Sequence, residues 1–258
     1  MTNIKLLNLG CGNRYHRDWI NVDFVSPSSE VISYDLTRRL PFAESEIDVV
    51  YHSHLLEHFR KDQALCFLAE CFRILKPGGL IRISVPDLEQ IVRAYLELLD
   101  GCLQDDEIAK KQYDWIVIEM FDQMVRNQSG GEMLKYWQQN PMPAEDFVIQ
   151  RVGSEALNFI NLVRNSTPSS EVKRQNSSKE DDPFEIGVFR LSGEVHQWMY
   201  DRYSLKVLLT QAGFIEIRQR SADESSIKDF NSYFLDIESD GSIRKPDSIF
   251  MEAVKPLR

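Results

Sequence analysis

Three short stretches carry side chains and backbone whose spacing suits chemistry. Gly10-Cys11-Gly12 follows directly on the apolar run Ile4 to Leu9. A strand that runs into Gly-x-Gly marks a place where backbone must approach something closely. Asp23 stands at the end of a second short apolar segment, and Asp35 at the end of a third. In an open parallel sheet neighbouring strands bring such ends side by side, at the edge where ligands bind. An acid at the second strand end can accept from both hydroxyls of a ribose, and an acid at the third from an adenine amino group. Taken alone, each acid reads equally well as a turn cap; the three together point to a nucleoside ligand.

A further stretch, His54-Leu-Leu-Glu-His58, fits the H-x-x-E-H pattern of inverted zinc proteases. On a helix His54 and His58 would share one face, as a zinc site needs. No third ligand stands out in a downstream helix.

The elements that must hold these residues are readable in order. Ile20 and Val22 alternate with polar residues in a strand that ends on Asp23. Only six residues separate Gly12 from Trp19, too few for a full crossover helix. Val31 to Asp35 and Ile47 to His52 read as the third and fourth strands. Leu65, Leu68, Ala69, Phe72 and Leu75 form a helical stripe over Asp62–Leu75. Lys76-Pro-Gly-Gly79 reads as a turn into a fifth strand, Leu80 to Val85. Asp87 looks like the N-cap of a helix with an apolar face from Leu88 to Leu99. Alternating strands and helices predict a doubly wound, mostly parallel α/β sheet.

The alternation stops at about residue 100. Residues 101–190 read as helical segments joined by polar loops, with Trp115 to Phe121 the most apolar part, expected to pack against its own domain. Residues 165–183 are rich in Ser, Lys, Glu and Asp, contain no aromatic residue, and are expected to be a mobile loop open to proteolysis. A helix from Tyr203 to Ala212 and strands at Phe214–Arg218 and Ser248–Val254 complete the sheet. The expected organisation is therefore a sheet domain of residues 1–100 and 191–258, and a helical insertion of residues 101–190 acting as a substrate lid.

Composition narrows the function classes. The 258 residues are 43% hydrophobic and 27% charged, as in an ordinary globular chain. A net charge of -10 disfavours a general nucleic-acid binder. No apolar run spans a bilayer. The first strand begins within a few residues of Met1, leaving no room for a signal peptide, and the four cysteines contain no C-x-x-C pair. These features predict a cytoplasmic protein with reduced thiols.

Among nucleoside cofactors, a dinucleotide fits poorly. Its third glycine would fall where Tyr15 stands, and its acid lies about 20 residues beyond the glycines, whereas Asp23 follows Gly12 by 11. No G-K-[ST] is present for a P-loop.

The chain resembles the class I S-adenosylmethionine-dependent methyltransferases. Leu7-Asn-Leu-Gly-Cys-Gly12 is similar to their first motif, Asp23 to the ribose-binding acid, and Asp35-Leu36 with Leu40-Pro-Phe42 to the adenine step. Asp48 to His58 resembles the fourth-strand motif, Leu75 to Leu80 the turn into the fifth strand, and Gln211-Ala-Gly-Phe214 the entry to the sixth. The resemblance covers residues 4–100 and 198–258. It implies a Rossmann-like methyltransferase fold, seven-stranded with an antiparallel last strand. It implies S-adenosylmethionine as cofactor, S-adenosylhomocysteine as product, and cofactor contacts from Leu9, Gly10, Cys11, Gly12, Asp23, Asp35, Leu36, His52 and Ser53. The nearly absent first helix departs from the family and leaves Arg14 or Tyr15 to reach the cofactor's carboxylate.

The expected activity is methyl transfer to a small-molecule or saccharide acceptor, O-methylation favoured. A hydroxyl acceptor needs a base, for which His54 is the first candidate and His196 and Asp87 are reserves. Trp115, Tyr136, Trp137, Trp198 and Tyr200 are candidates for stacking on the acceptor or for core packing. An oligomer is compatible with this reading. The alternatives are a non-catalytic S-adenosylmethionine-binding protein and a zinc hydrolase built on His54, Glu57 and His58.

Overall fold

The structure is a computed structural model that describes residues 4–26, 28–165 and 182–257. It divides into two compact units. One comprises Met1–Asp87, Trp198–Ile243 and Ser248–Arg258; the other comprises Leu88–Gln197 and Arg244–Asp247.

The first unit is a seven-stranded sheet. In chain order the strands are β1 (Leu6–Leu9), β2 (Ile20–Asp23), β3 (Val31–Ser33), β4 (Ile47–Ser53), β5 (Leu75–Pro86), β6 (Ile215–Arg220) and β7 (Ser248–Val254). Their spatial order is β3-β2-β1-β4-β5-β7-β6. All neighbours pair in parallel except β7, which runs antiparallel to both β5 and β6. This is the doubly wound sheet that the strand pattern predicts, with the antiparallel seventh strand that the resemblance implies.

Burial explains the strand sequences. β1 lies between β2 and β4, and all four of its residues are buried. A strand covered on both faces reads as a continuous apolar run. Its one polar residue, Asn8, donates through Nδ2 to the Arg14 carbonyl at 3.1 Å and to Asn21 Oδ1 at 3.3 Å. The connection from β1 to β2 contains no helix, as its length requires.

The helix α1 (Lys61–Ile74) covers one face of the sheet. Its buried residues are Ala64, Phe67, Leu68, Cys71 and Ile74, so the core stripe is rotated from the expected one; of the expected residues Leu68 is buried on the helix and Leu75 just beyond it, at the start of β5. The helix is apolar on most of its circumference, so two stripes satisfy helical spacing and packing selects between them. Lys76-Pro-Gly-Gly79, expected as a turn before the fifth strand, lies inside β5. The pairing of β4 with β5 shifts register between Ile47↔Leu75 and Val49↔Leu80. The Gly78 N–H donates to the Lys255 carbonyl, and the Lys255 N–H to the Gly79 carbonyl, each at 2.9 Å.

Beneath the other part of the sheet Arg82, fully buried on β5, gathers the segment that precedes β7. Nε donates to Asp236 Oδ2 at 2.7 Å, and Nη1 to Glu252 Oε1 at 3.0 Å and the Glu224 carbonyl at 2.9 Å. Nη2 donates to the Ser221 and Ala222 carbonyls at 3.1 Å. All five guanidinium donors are thus used. The Tyr51 hydroxyl donates to the second oxygen of Asp236 at 2.6 Å.

The second unit holds α2 (Leu88–Leu103), α3 (Glu107–Val125), α4 (Gly131–Trp137), α5 (Glu145–Val152), α6 (Ser154–Asn165) and α7 (Pro183–Arg190). Its main segment runs from Leu88 to Gln197, so α2, which the sequence places with the sheet, groups with the helices. Its core contains Trp115, Met133, Tyr136, Val148 and Ile160, with Trp137 packed against it. Trp115, Tyr136 and Trp137 are therefore packing residues, and Trp115 Nε1 donates to Glu119 Oε2 at 3.0 Å. Residues 166–181 of the loop expected over 165–183 lie outside the described residues. Asp182 caps α7, its carboxylate accepting from the Phe184 N–H at 2.9 Å. The helix α8 (Arg202–Gln211) belongs to the sheet unit and is capped by Asp201, whose Oδ1 accepts from the Ser204 N–H at 2.7 Å. Among the described residues no helix is long and apolar enough to cross a membrane.

Candidate active site

The carboxyl edge of β1, β2 and β4 brings the sequence-selected residues together. Gly10 and Gly12 both have left-handed backbone, with φ of 65° and 52°. The reasons differ. A Cβ on Gly10 would stand 2.8 Å from Leu55 Cδ1, so this glycine lets the turn pack against the segment after β4. A Cβ on Gly12 would meet no atom within 4 Å, so its backbone faces open space.

Gly10 donates its N–H to the Val22 carbonyl at 2.8 Å, which ties the turn to β2. One residue further on, Asp23 Oδ2 accepts from the Gly12 N–H at 2.8 Å, and Oδ1 from the Val25 N–H at 3.2 Å. A carboxylate offers about four lone-pair sites, so acceptor capacity remains on Asp23 beside the open backbone of Gly12. Cys11 is buried next to it. Burial, then the charge of Asp23, pushes its thiol up to about 12, which keeps it neutral.

Asp35 is half-buried just beyond β3. Its Oδ1 accepts from the Thr37 hydroxyl at 2.6 Å and the Thr37 N–H at 3.0 Å, and its Oδ2 from Arg38 Nε at 3.1 Å. Thr37 first, then Arg38, holds this carboxyl below the ordinary carboxylate range. Asp35 therefore closes its own turn while remaining an ionised acceptor.

Three of the expected cofactor residues turn their side chains into the core. Leu9 is fully buried and Leu36 nearly so, both within the main apolar cluster. His52 is fully buried, its ring edge-on to Phe67 with centroids 5.4 Å apart. Neither of its ring nitrogens has a hydrogen-bond partner among the described residues. Burial drives its pKa down to about 3, so the ring is neutral. Ser53 is half-buried at the end of β4. Arg14 is turned away as well. Its Nε donates to the Phe234 carbonyl at 2.7 Å, and its Nη2 pairs with Glu238 Oε2 at 2.6 Å. Tyr15, the other residue expected at the cofactor's carboxylate, is half-buried.

His54 leaves β4 with φ of 51°, its N–H donating to the Ser84 carbonyl at 2.9 Å. Its Nε2 lies 2.7 Å from Ser248 Oγ, and its Nδ1 lies 3.4 Å from Glu57 Oε1. Glu57 is fully buried, and Ser248 is 5% exposed at the start of β7. Because β7 is antiparallel, its first residue stands at the same edge as the parallel strand ends, opposite Pro86. Asp87 and Tyr200 form a bridge at that edge, both buried. The Tyr200 hydroxyl has no hydrogen-bond partner among the described residues, and burial, then the charge of Glu57, raises its pKa.

Only Leu56–His58 is helical around the H-x-x-E-H stretch, as a single 3-10 turn. The left-handed His54 stands outside it, so the helix that the zinc-protease reading requires is absent. His196 lies in the helical unit, buried, with its N–H donating to the Gln123 carbonyl at 2.9 Å. The sequence singles out His54 and Glu57 through their spacing and Tyr200 as an aromatic candidate; no local signal marks Ser248.

The sheet order with its antiparallel seventh strand, and the glycine and acid strand ends at one edge, form the arrangement that the resemblance to class I S-adenosylmethionine-dependent methyltransferases implies. Residues 7–83 match the family model described as "Methyltransferase domain". A relative from Mycolicibacterium smegmatis, described as a probable S-adenosylmethionine-dependent methyltransferase, is 44% identical over 48 residues, which are 19% of this chain and 18% of that protein. The matched stretch thus spans less than a fifth of that relative. A SAM-dependent methyltransferase from Archaeoglobus fulgidus aligns over 98% of this chain and 87% of its own, at 12% identity and a TM-score of 0.42. One from Mesorhizobium loti aligns over 33% of this chain and 48% of its own, at 17% identity and a TM-score of 0.26.

Proposed function

We propose that the protein transfers a methyl group from S-adenosylmethionine to a hydroxyl oxygen of a small-molecule or saccharide acceptor in the cytoplasm. The observation that carries the oxygen preference is His54, an imidazole at the end of β4 flanked by Ser248 and Glu57. Imidazole titrates near neutrality and suits removal of a hydroxyl proton. A carboxylate acceptor, already ionised at neutral pH, has no use for a base.

The edge fits the cofactor that this class of domain uses. The space over Gly12 admits close approach, and Asp23 keeps acceptor sites for a ribose diol. Asp35 is the acceptor for an adenine amino group, and the neutral Cys11 thiol lines the turn without competing as a nucleophile. The cofactor supplies a methyl group already activated by the positive charge on its sulfur. The protein's own tasks are to hold the acceptor oxygen in line, which can supply about 7–11 kcal/mol, and to take up its proton.

The test is methyl transfer from a methyl-labelled cofactor to a panel of sugars, phenols, amines and carboxylates. Label recovered in base-stable methyl ethers is the expected result. Label recovered only in amines would overturn the oxygen assignment.

A further inference from the structure

His54 and Glu57, three residues apart after β4, and Ser248 at the start of β7 form one file of polar atoms. Ser248 Oγ is 2.7 Å from His54 Nε2, and His54 Nδ1 is 3.4 Å from Glu57 Oε1. Glu57 has no exposed surface, and the His54 side chain is 14% exposed. The 3.4 Å contact is a charge pair rather than a hydrogen bond, and a carboxylate beside Nδ1 favours the tautomer with its proton on that nitrogen. The lone pair is then on Nε2, directed at a hydroxyl. That hydroxyl belongs to the first residue of β7, which the antiparallel direction of the strand delivers to the ligand edge. Ser248 therefore stands between His54 Nε2 and any second proton donor reaching that nitrogen along the same line.

We propose that Ser248 is the proton relay of the methyl-transfer reaction, with His54 as terminal base and Glu57 as the residue that orients it. This rests on the oxygen-methylation reading above. As the acceptor oxygen bonds to the methyl carbon, and the bond from that carbon to the cofactor sulfur breaks to leave S-adenosylhomocysteine, the acceptor's proton passes to Ser248 Oγ. The proton already on Ser248 passes to His54 Nε2. The serine ends as it began, and the net change is one proton moved from acceptor to imidazole. The resulting imidazolium carries both ring protons beside the Glu57 carboxylate, and it returns the extra proton to solvent before the next turnover. Other titratable groups beside this file in the sheet unit include His58 of the same turn, Asp87 at the end of β5, and Tyr200, bridged to Asp87. Tyr200 remains protonated through neutrality, so it does not compete for the proton.

The ground state is tested without cofactor. Nitrogen-15 NMR of the His54 ring should show the proton on Nδ1 and none on Nε2 at pH above its titration. Glu57→Gln should lower the His54 pKa measured in the same way. A proton on Nε2 in the wild type would overturn the relay whatever acceptor the enzyme uses. The kinetic arm uses a hydroxyl acceptor found by the labelled-methyl screen. Ser248→Ala should lower kcat about 10²–10³-fold, leave S-adenosylhomocysteine affinity unchanged, and be rescued in large part by Ser248→Thr. The rise of the wild-type rate through a histidine-like pKa should flatten in His54→Ala. Full turnover and an unchanged pH profile in Ser248→Ala would overturn the relay alone. A wild type that methylates no hydroxyl acceptor would overturn the oxygen reading, and the relay's catalytic role with it.

Discussion

The carboxylate of Asp23 accepts the N–H of Gly12 at 2.8 Å. This contact couples the two sequence signals that first suggest a nucleoside. The turn after β1 needs an acceptor for its exposed N–H, and the acid at the end of β2 supplies it. The acid is thereby held at the strand edge with acceptor capacity to spare.

The two glycines of that turn should respond differently to alanine. In Gly10→Ala the new Cβ meets Leu55, and left-handed backbone alone costs about 1–2 kcal/mol. Chemical denaturation should show a loss of at least that size. Gly12→Ala pays the same backbone strain but meets no atom within 4 Å. Its stability loss should be the smaller of the two, while its affinity for S-adenosylhomocysteine should collapse. Equal affinity for wild type and Gly12→Ala would place the ligand elsewhere.

Arg82 should be among the costliest residues to remove. Its five donors serve Asp236, Glu252 and three carbonyls with no exposure to water. Deleting one partner of a buried ion pair typically costs about 3–5 kcal/mol. Urea denaturation of Arg82→Ala should show a loss in that range, and Asp236→Ala should leave Tyr51 and Arg82 both short of a partner. A loss below about 1 kcal/mol would mean that the segment before β7 is not held by this network.

His52 gives a pH prediction with a definite sign. Its folded pKa is depressed from 6.5 to about 3 by burial, so only the unfolded chain takes up a proton between those values. Above pH 6.5 the residue contributes no pH dependence. As pH falls from 6.5 towards 3, it should cost stability at about 1.4 kcal/mol per pH unit. His52→Leu should remove that slope and, by replacing two unpartnered ring nitrogens with carbon, hold or raise stability at neutral pH. The same acid profile in the variant and the wild type would contradict the assignment.

How much of this was legible in the sequence follows the range of the interactions. Strand ends are local, so Gly10, Gly12, Asp23 and Asp35 could be placed at one edge from strand periodicity and turn chemistry. The face of α1 could not, because Leu65 and Phe67 satisfy helical spacing equally and only packing on the sheet chooses. Lys76-Pro-Gly-Gly79 carries every mark of a turn, yet the Gly78 and Gly79 main chain pairs with Lys255 from the far end of the chain. Long-range partners are invisible in the same way. Arg14 is drawn to Glu238, and His54 to Ser248, 194 residues away. The H-x-x-E-H spacing did mark His54 and Glu57, but suggested a helix where the chain makes a left-handed step and a single turn.

The central claim is that the edge formed by Gly12 and Asp23 binds an S-adenosyl compound. The most direct measurement is calorimetric titration of the wild type and Asp23→Ala with S-adenosylhomocysteine and, separately, with NADH. S-adenosylhomocysteine should bind the wild type, and the variant should bind it at least about tenfold more weakly, the loss of about 1.4 kcal/mol of charge-assisted hydrogen bonding. Tight binding of NADH with no binding of S-adenosylhomocysteine would contradict the account.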